Sequence, residues 1–252
     1  MSSQALGRAR RRPPPGDRAQ RAEACRRRRC GAGHHRVVDS PESLIPWLRV
    51  AVESAATVAF ALSGLLAGAR QRLDAVGLCF VTGLAAFGGG TLRDVLLDRR
   101  PFFWVEHAHW LWALLALSAG AMLFMRRRHF AITERAMQWP DALGLGLFSA
   151  SGTQLALAQD LPAIVAVLMG VVTAVFGGVL RDIVLNEIPT AFRDHRPYAV
   201  CAFVGSWVLV GAMTLGLGEG TALLLGATTA TGLRVLALAT GWRLPAWGEG
   251  RG

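Results

Sequence analysis

The sequence predicts an all-α membrane protein, with seven transmembrane helices as a 3+3 inverted repeat plus one. Three observations carry this. From about residue 44 onward, apolar stretches approach the ~20 residues that a helix needs to cross a ~30 Å hydrocarbon core, and 52% of all residues are hydrophobic. The element Phe87-Gly88-Gly89-Gly90-Thr91-Leu92-Arg93-Asp94 returns as Phe176-Gly177-Gly178-Val179-Leu180-Arg181-Asp182. The offset of 88 positions from Arg93 to Arg181 also pairs Glu53 with Asp141, Phe60 with Phe148, Ser63 with Ser151, Gly64 with Gly152 and Pro101 with Pro189. A single offset held over about 50 residues marks a duplication.

The seven spans read as Trp47–Ala67, Ala75–Leu97, Trp110–Met125, Trp139–Ala158, Ala163–Leu185, Tyr198–Leu217 and Thr221–Thr240. Residues 44–130 form the first three-helix repeat and 131–218 the second. Residues 219–242 form the seventh helix, and 243–252 a C-terminal tail. Trp47, Trp104, Trp110, Trp139, Tyr198 and Trp242 fall near span ends, where amphipathic rings sit at headgroup level. Because each repeat has three spans, the second enters the membrane from the side opposite to the first. Glycine, 29 residues in all, is expected where membrane helices approach closely.

Residues 1–43 read as a disordered Arg-rich tail. Eleven arginines lie within residues 1–36, among Pro, Gly and Ala with no apolar period, and such a segment cannot bury a core. A basic tail also suits nucleic acid or anionic lipid; the solvated reading is preferred, and no nucleic-acid partner is expected. No apolar run follows the charges, so it is not a signal peptide. A translation start near Val37 or Val38 is an alternative origin for this segment.

Arginine counts set the orientation. Loops on one side carry Arg70, Arg72, Arg126, Arg127, Arg128, Arg135, Arg193, Arg196, Arg243 and Arg251, against Arg99 and Arg100 on the other. The first side is therefore expected in the cytoplasm, with the N-terminus outside and the C-terminus inside. The tail opposes this, since its charges would have to cross the membrane.

The four cysteines make no disulfide framework. Cys79 and Cys201 lie in apolar stretches and pack as small hydrophobes. Cys25, Cys30, His34 and His35 match no zinc spacing, so no metal is expected. His107 and His109, between Trp104 and Trp110, read as headgroup-zone residues.

The chemistry is expected at the glycine clusters and the charges beside them. Gly88, Gly89, Gly90, Gly177 and Gly178 permit a kink or a close crossing. Carbonyls freed by a break are tolerated at membrane depth only within protein or along a water-filled cavity, where they can replace part of a cation's hydration shell. Arg93, Asp94, Arg181 and Asp182, being charged, are expected to face the bundle interior or a pore. An approximate two-fold suggests a crossed arrangement, Arg93 with Asp182 and Arg181 with Asp94. Glu53 and Asp141, in the first turns of their helices, suit cation attraction at opposite mouths and equally suit ordinary interfacial placement. Ser63, Gly64, Ser151 and Gly152 suit helix packing, the serines also bonding a carbonyl one turn back. There is no nucleophile elbow, phosphate loop, metalloprotease helix or dinucleotide fingerprint, so neither an enzyme nor a cofactor is expected.

Two copies of Gly-Gly-x-Leu-Arg-Asp, each inside a three-helix unit and followed seven residues later by Pro101 or Pro189, resemble a bacterial membrane family. Its repeated unit is called the glycine transporter domain, and it is related to the trimeric intracellular cation (TRIC) channels. The resemblance spans about Leu44 to Thr240. It implies a homotrimer in the lipid bilayer of the bacterial plasma (inner) membrane, with an outside N-terminus. It also implies one pore per protomer, framed by kinked second and fifth helices and passing monovalent cations such as potassium. The family name implies the alternative, a transporter of a small amino acid such as glycine. Animal members carry a Lys-containing motif on the pore helices. This chain has no Lys, so those lipid and gating assignments do not transfer.

Overall fold

The computed structural model describes residues 41–125, 134–193 and 197–243. The basic tail with Cys25, Cys30, His34 and His35 lies outside the described residues, as do Arg126, Arg127, Arg128, Arg196 and Arg251. Nine helices run through the described residues: α1 Pro41–Arg70, α2 Ala75–Leu96, α3 Phe103–Glu106, α4 His109–Met125, α5 Glu134–Leu157, α6 Ala163–Val184, α7 Thr190–Arg193, α8 Ala199–Thr214 and α9 Glu219–Thr240. No strand occurs among them. The seven long helices fall on the seven expected spans. The four-residue α3 and α7 were not expected, because one turn is too short to show an apolar period.

Length and composition suit α1, α2, α6 and α9 to crossing a membrane, while α4 and α8 are shorter apolar helices. The 24-residue α5 is more polar, and its environment explains why. Gln138, Asp141, Ser149, Ser151, Thr153 and Gln154 are all buried against other helices, where polar groups find partners that lipid cannot supply. Apolar Trp47, Val76, Phe80, Trp112 and Leu123 are instead exposed.

The duplication is written into the backbone. Helices α2 and α6 have 22 residues each and begin at Ala75 and Ala163, 88 positions apart. Both end in the same reversal: Arg99 N donates to Asp94 O at 2.7 Å, and Glu187 N to Asp182 O at 2.9 Å. The turning residues are Asp98 and Asn186, at φ 49° and 55°, a left-handed conformation that Asp and Asn tolerate best after Gly. Helices α1 and α5 end the same way, at Arg72 and Asp160, φ 54° and 57°.

Helix α2 packs on α6 at the glycines. A Cβ on Gly89 would sit 2.1 Å from Thr173 O, and one on Gly177 would sit 2.5 Å from Ala85 O. Thr173 is the repeat counterpart of Ala85, so the contact is reciprocal. Gly88 continues it, its Cβ position 2.8 Å from Leu180 Cδ1. Both helices stay α-helical through their glycines. The glycines therefore serve close approach, one of the two roles expected of them, and the helical run is uninterrupted at both clusters. Gly64 and Gly152 admit α2 and α6 to α1 and α5: their Cβ positions lie 2.7 Å from Ala85 Cβ and 2.6 Å from Thr173 Oγ1. Phe60 and Phe148 stack with ring centroids 5.5 Å apart, joining the two halves. Helix α9, outside the duplication, packs on α8 and α5.

These contacts separate the glycines experimentally. Gly89→Ala and Gly177→Ala force a methyl onto backbone and are expected to cost about 1–3 kcal/mol or more. Gly90→Ala meets no atom within 4 Å and is expected to be neutral or slightly stabilising. Melting of the purified protein in detergent checks the order.

Candidate functional site: two buried charge clusters and a vestibule

Two arginines are almost fully buried beside the crossing, Arg93 and Arg181, each at 1% exposure. A buried guanidinium needs acceptors on several sides, and each finds them in the same pattern. Arg93 Nε donates to Asp94 Oδ1 at 2.9 Å, and Nη1 to Glu53 Oε1 at 2.5 Å. Arg181 Nε donates to Asp182 Oδ1 at 2.7 Å, and Nη1 to Asp141 Oδ1 at 2.7 Å. The second oxygen of each aspartate accepts from the backbone at the start of the next short helix. Phe103 N lies 3.1 Å from Asp94 Oδ2, and Thr190 N lies 2.9 Å from Asp182 Oδ2. Thr190 Oγ1 adds a third bond to Asp182 at 3.1 Å. That is the work of the short α3 and α7: they bring N–H groups to carboxylates that would otherwise be buried unpaired.

The crossed pairing of Arg93 with Asp182 and Arg181 with Asp94 is overturned: each arginine pairs within its own half. The hairpin register explains it. Glu53 lies 17 residues before α1 ends at Arg70, and Arg93 lies 18 residues after α2 starts at Ala75. With a rise of 1.5 Å per residue, both stand about 26 Å from the shared turn. Asp141 and Arg181 are level in the α5–α6 hairpin for the same reason.

What crosses between the halves is serine. Arg181 Nη1 donates to Ser63 Oγ at 2.5 Å, and Ser63 Oγ lies 3.3 Å from Met137 O and 3.4 Å from Asp141 Oδ1. Ser151 Oγ donates to Glu53 Oε1 at 3.0 Å. Each serine thus completes the cluster of the other half, rather than bonding the carbonyl one turn back. Gly178 leaves room for the second cluster: its Cβ position is 3.2 Å from Tyr198 Oη and 3.6 Å from Asp141 Oδ1.

The clusters differ in access. Beside the first, a cavity of about 310 Å³ is bounded by Arg49, Glu53, Arg99, Glu106, His107, Ser151 and Gln154, with Phe103 and Leu223 among its apolar walls. Its rim is tied by Arg49 Nη2 donating to Glu219 Oε2 at 2.6 Å. The second cluster is capped by Tyr198, whose hydroxyl donates to Asp141 Oδ2 at 2.7 Å. Tyr198 is 2% exposed, so it is a core residue and not the interfacial ring expected. Tyrosine at a helix start fits either role, and only the partner distinguishes them. Arg234, 1% exposed on α9, stacks on the Tyr198 ring with Cζ 4.7 Å from the centroid. Sequence reasoning passed over Arg234. Its signal was a lone arginine within a 22-residue apolar helix, which is costly unless buried or functional. His107 lines the vestibule, and His109 stands edge-on to it at 5.7 Å. Among the described residues no group of three or more His, Cys, Asp or Glu is placed to hold a metal ion.

The Glycine transporter family model matches twice, over residues 50–128 and 138–214, in the register that the offset of 88 gives. A UPF0126 membrane protein of Vibrio cholerae is 34% identical over 215 residues, covering 84% of this chain and 87% of that one. The UPF0126 inner membrane protein YadS of Escherichia coli is 31% identical over 207 residues, covering 80% and 95%. Among solved structures, a TRIC trimeric intracellular cation channel orthologue from Rhodobacter sphaeroides superposes with a TM-score of 0.70 at 31% identity, over 77% of this chain and 98% of that one. A second TRIC cation channel gives 0.69 at 32% identity, over 78% and 95%. Duplicated motif, shared fold and family match agree: the chain belongs to the UPF0126 family of bacterial membrane proteins, built from two Glycine transporter units and related to the TRIC channels.

Proposed function

We propose that the chain conducts monovalent cations, potassium among them, through a path within each protomer of a homotrimer. The observation that carries this is the first charge cluster. Glu53 and Asp94 set two carboxylates against the single guanidinium of Arg93, and Glu53 opens onto the vestibule. An excess negative charge at the end of a water-accessible cavity attracts cations and focuses their field. The likeness to solved TRIC cation channels supports the same reading. In it, all seven long helices cross the inner membrane as a 3+3 inverted repeat plus one, with the N-terminus outside and the C-terminus in the cytoplasm. The path runs from the vestibule past the α2–α6 crossing, where Gly88, Gly89, Gly90, Gly177 and Gly178 keep two helices thin, to the cluster of Arg181, Asp141 and Asp182. No step in it is catalytic.

A second reading, carriage of a small zwitterion such as glycine, draws on the family's name and on the mixed vestibule lining, where Arg49 and Arg99 stand with Glu53 and Glu106. The two readings part in a planar bilayer. Conduction gives unitary currents whose reversal potential follows the potassium gradient. Carriage gives none, and instead gives saturable counterflow of labelled glycine in proteoliposomes.

Two further outcomes are expected. Glu106 lines the vestibule without belonging to either cluster. A unit charge ~5 Å away in water is worth about 0.8 kcal/mol, so Glu106→Gln is expected to lower unitary conductance about fourfold in dilute potassium, with little effect near 1 M salt. In a cysteine-free background, Arg72→Cys is expected to react with an impermeant thiol reagent only from the cytoplasmic side, and Arg99→Cys only from outside. Labelling of both from one side contradicts an α2 that crosses the membrane in this orientation.

A further inference from the structure

The two clusters share a charge count but are completed differently. Each sets two carboxylates against one guanidinium, Glu53 and Asp94 around Arg93, Asp141 and Asp182 around Arg181. Each core therefore holds one negative charge in excess. At the second cluster a further cation is already in place. Arg234 lies on α9, outside the duplicated unit, with its guanidinium over the Tyr198 ring, and the Tyr198 hydroxyl bonds to Asp141. The face of an aromatic ring attracts a cation, so the ring links Arg234 to Asp141 without direct contact. Among the described residues no carboxylate lies within 4.0 Å of Arg234. Its Nη1 donates to Pro197 O at 3.3 Å, and its Nε is buried without a partner. A guanidinium held this way, at 1% exposure, is costly unless its charge is used.

The first cluster has no such completion. The residue at the repeat position of Tyr198 is Trp110, an indole that donates to no carboxylate and whose Nε1 is buried without a partner. Gly178 has the Tyr198 hydroxyl over its Cβ position, whereas a Cβ on its counterpart Gly90 would meet no atom within 4 Å. The first cluster faces the vestibule, where the charges of Arg49 and Arg99 are matched by Glu219, bonded to Arg49, and by Glu106 in the same lining; the second faces tyrosine and an arginine with no carboxylate of its own among the described residues.

We propose that Arg234 is a built-in counter-cation, supplying at the second cluster the positive charge that a monovalent cation supplies at the first. It is a specificity-determining residue of the path, contributed by the one long helix that the duplication did not make, and the proposal rests on the cation-path reading. With Arg234 in place, the second cluster is balanced and a cation passes without dwelling there. Without it, the second cluster becomes a second cation site.

The test uses the full chain, purified in detergent and reconstituted in vesicles. Thermal stability is compared in potassium chloride and in choline chloride of equal ionic strength. Arg234→Gln is expected to gain a potassium-dependent rise in melting temperature, several degrees beyond that of the unaltered protein. Arg234→Lys, which keeps the charge, is expected to behave as the unaltered protein. Arg234→Gln combined with Asp141→Asn, which restores the balance, is expected to lose the added dependence. In vesicles, rubidium uptake by Arg234→Gln is expected to saturate at severalfold lower concentration, with chloride still excluded. The proposal is overturned if Arg234→Gln shows the unaltered potassium dependence, if the double variant keeps the added dependence, or if chloride enters with rubidium, which marks loosened packing. If Arg234→Gln does not assemble but the double variant does, charge balance is supported; if neither assembles, Arg234 is a packing residue and the proposal falls. If no form takes up rubidium, the conduction reading fails, and the melting comparison still decides the role of Arg234.

Discussion

A guanidinium taken out of water has to be surrounded by acceptors, and much of this architecture follows from doing so twice. Breaking a buried ion pair by removing one partner costs about 3–5 kcal/mol. Arg93 and Arg181 therefore constrain every element that supplies them. Helices α1 and α5 must stand level with them to deliver Glu53 and Asp141. Helices α2 and α6 must end within one turn, so that the chain can double back and cap Asp94 and Asp182 with the amides of Phe103 and Thr190. The left-handed residues Asp98 and Asn186 provide that reversal. Even the polarity of α5 follows, because it carries Asp141 for one cluster and Ser151 for the other.

The glycine crossing and the charge clusters are one device. Bare backbone at Gly89 and Gly177 brings α2 and α6 together. The arginines lie one turn further along each helix, so the same approach brings Ser63 within reach of Arg181 and Ser151 within reach of Glu53. The halves are thus joined by neutral hydroxyls reaching into charged clusters, while the strong pairings stay inside each hairpin. Each hairpin satisfies its own charges, and small residues with two serines close the pair. The ninth helix breaks the equivalence, adding Arg234 to one side only.

The long helices and their duplication were legible in the sequence because both are local. Apolar runs gave the seven long helices, and the ends of α2 and α6 at Leu96 and Val184 fall just where Asp98 and Asn186 follow. Glu53, Arg93, Asp94, Asp141, Arg181 and Asp182 stand out as charges in apolar stretches, while Arg234, equally a charge in an apolar helix, was passed over. Their partners were not legible. An approximate two-fold allows Arg93 to meet Asp182 as readily as Glu53, and only the register of the hairpin turns, set by Leu73 and Asp74 in one half and Leu161 and Pro162 in the other, separates the two. Ser63 and Ser151 were read as packing residues because small size and a hydroxyl serve both purposes. Tyr198 was misplaced because its ring suits an interface and its hydroxyl suits a buried carboxylate. The glycines allowed either a kink or a close crossing, because poor helix propensity and small size point both ways; packing keeps both helices helical through them and leaves the close crossing.

Arg93 and Arg181 are each held by their own hairpin and only steadied by the other. Double-mutant cycles on the stability of the reconstituted protein test this most directly. Strong coupling is expected between Glu53→Gln and Arg93→Gln, on the order of 1.5 kcal/mol or more, and a similar value for Asp141→Asn with Arg181→Gln. Coupling near zero is expected for Arg93→Gln with Asp182→Asn. Strong coupling in the crossed cycle, with weak coupling inside the hairpins, contradicts it.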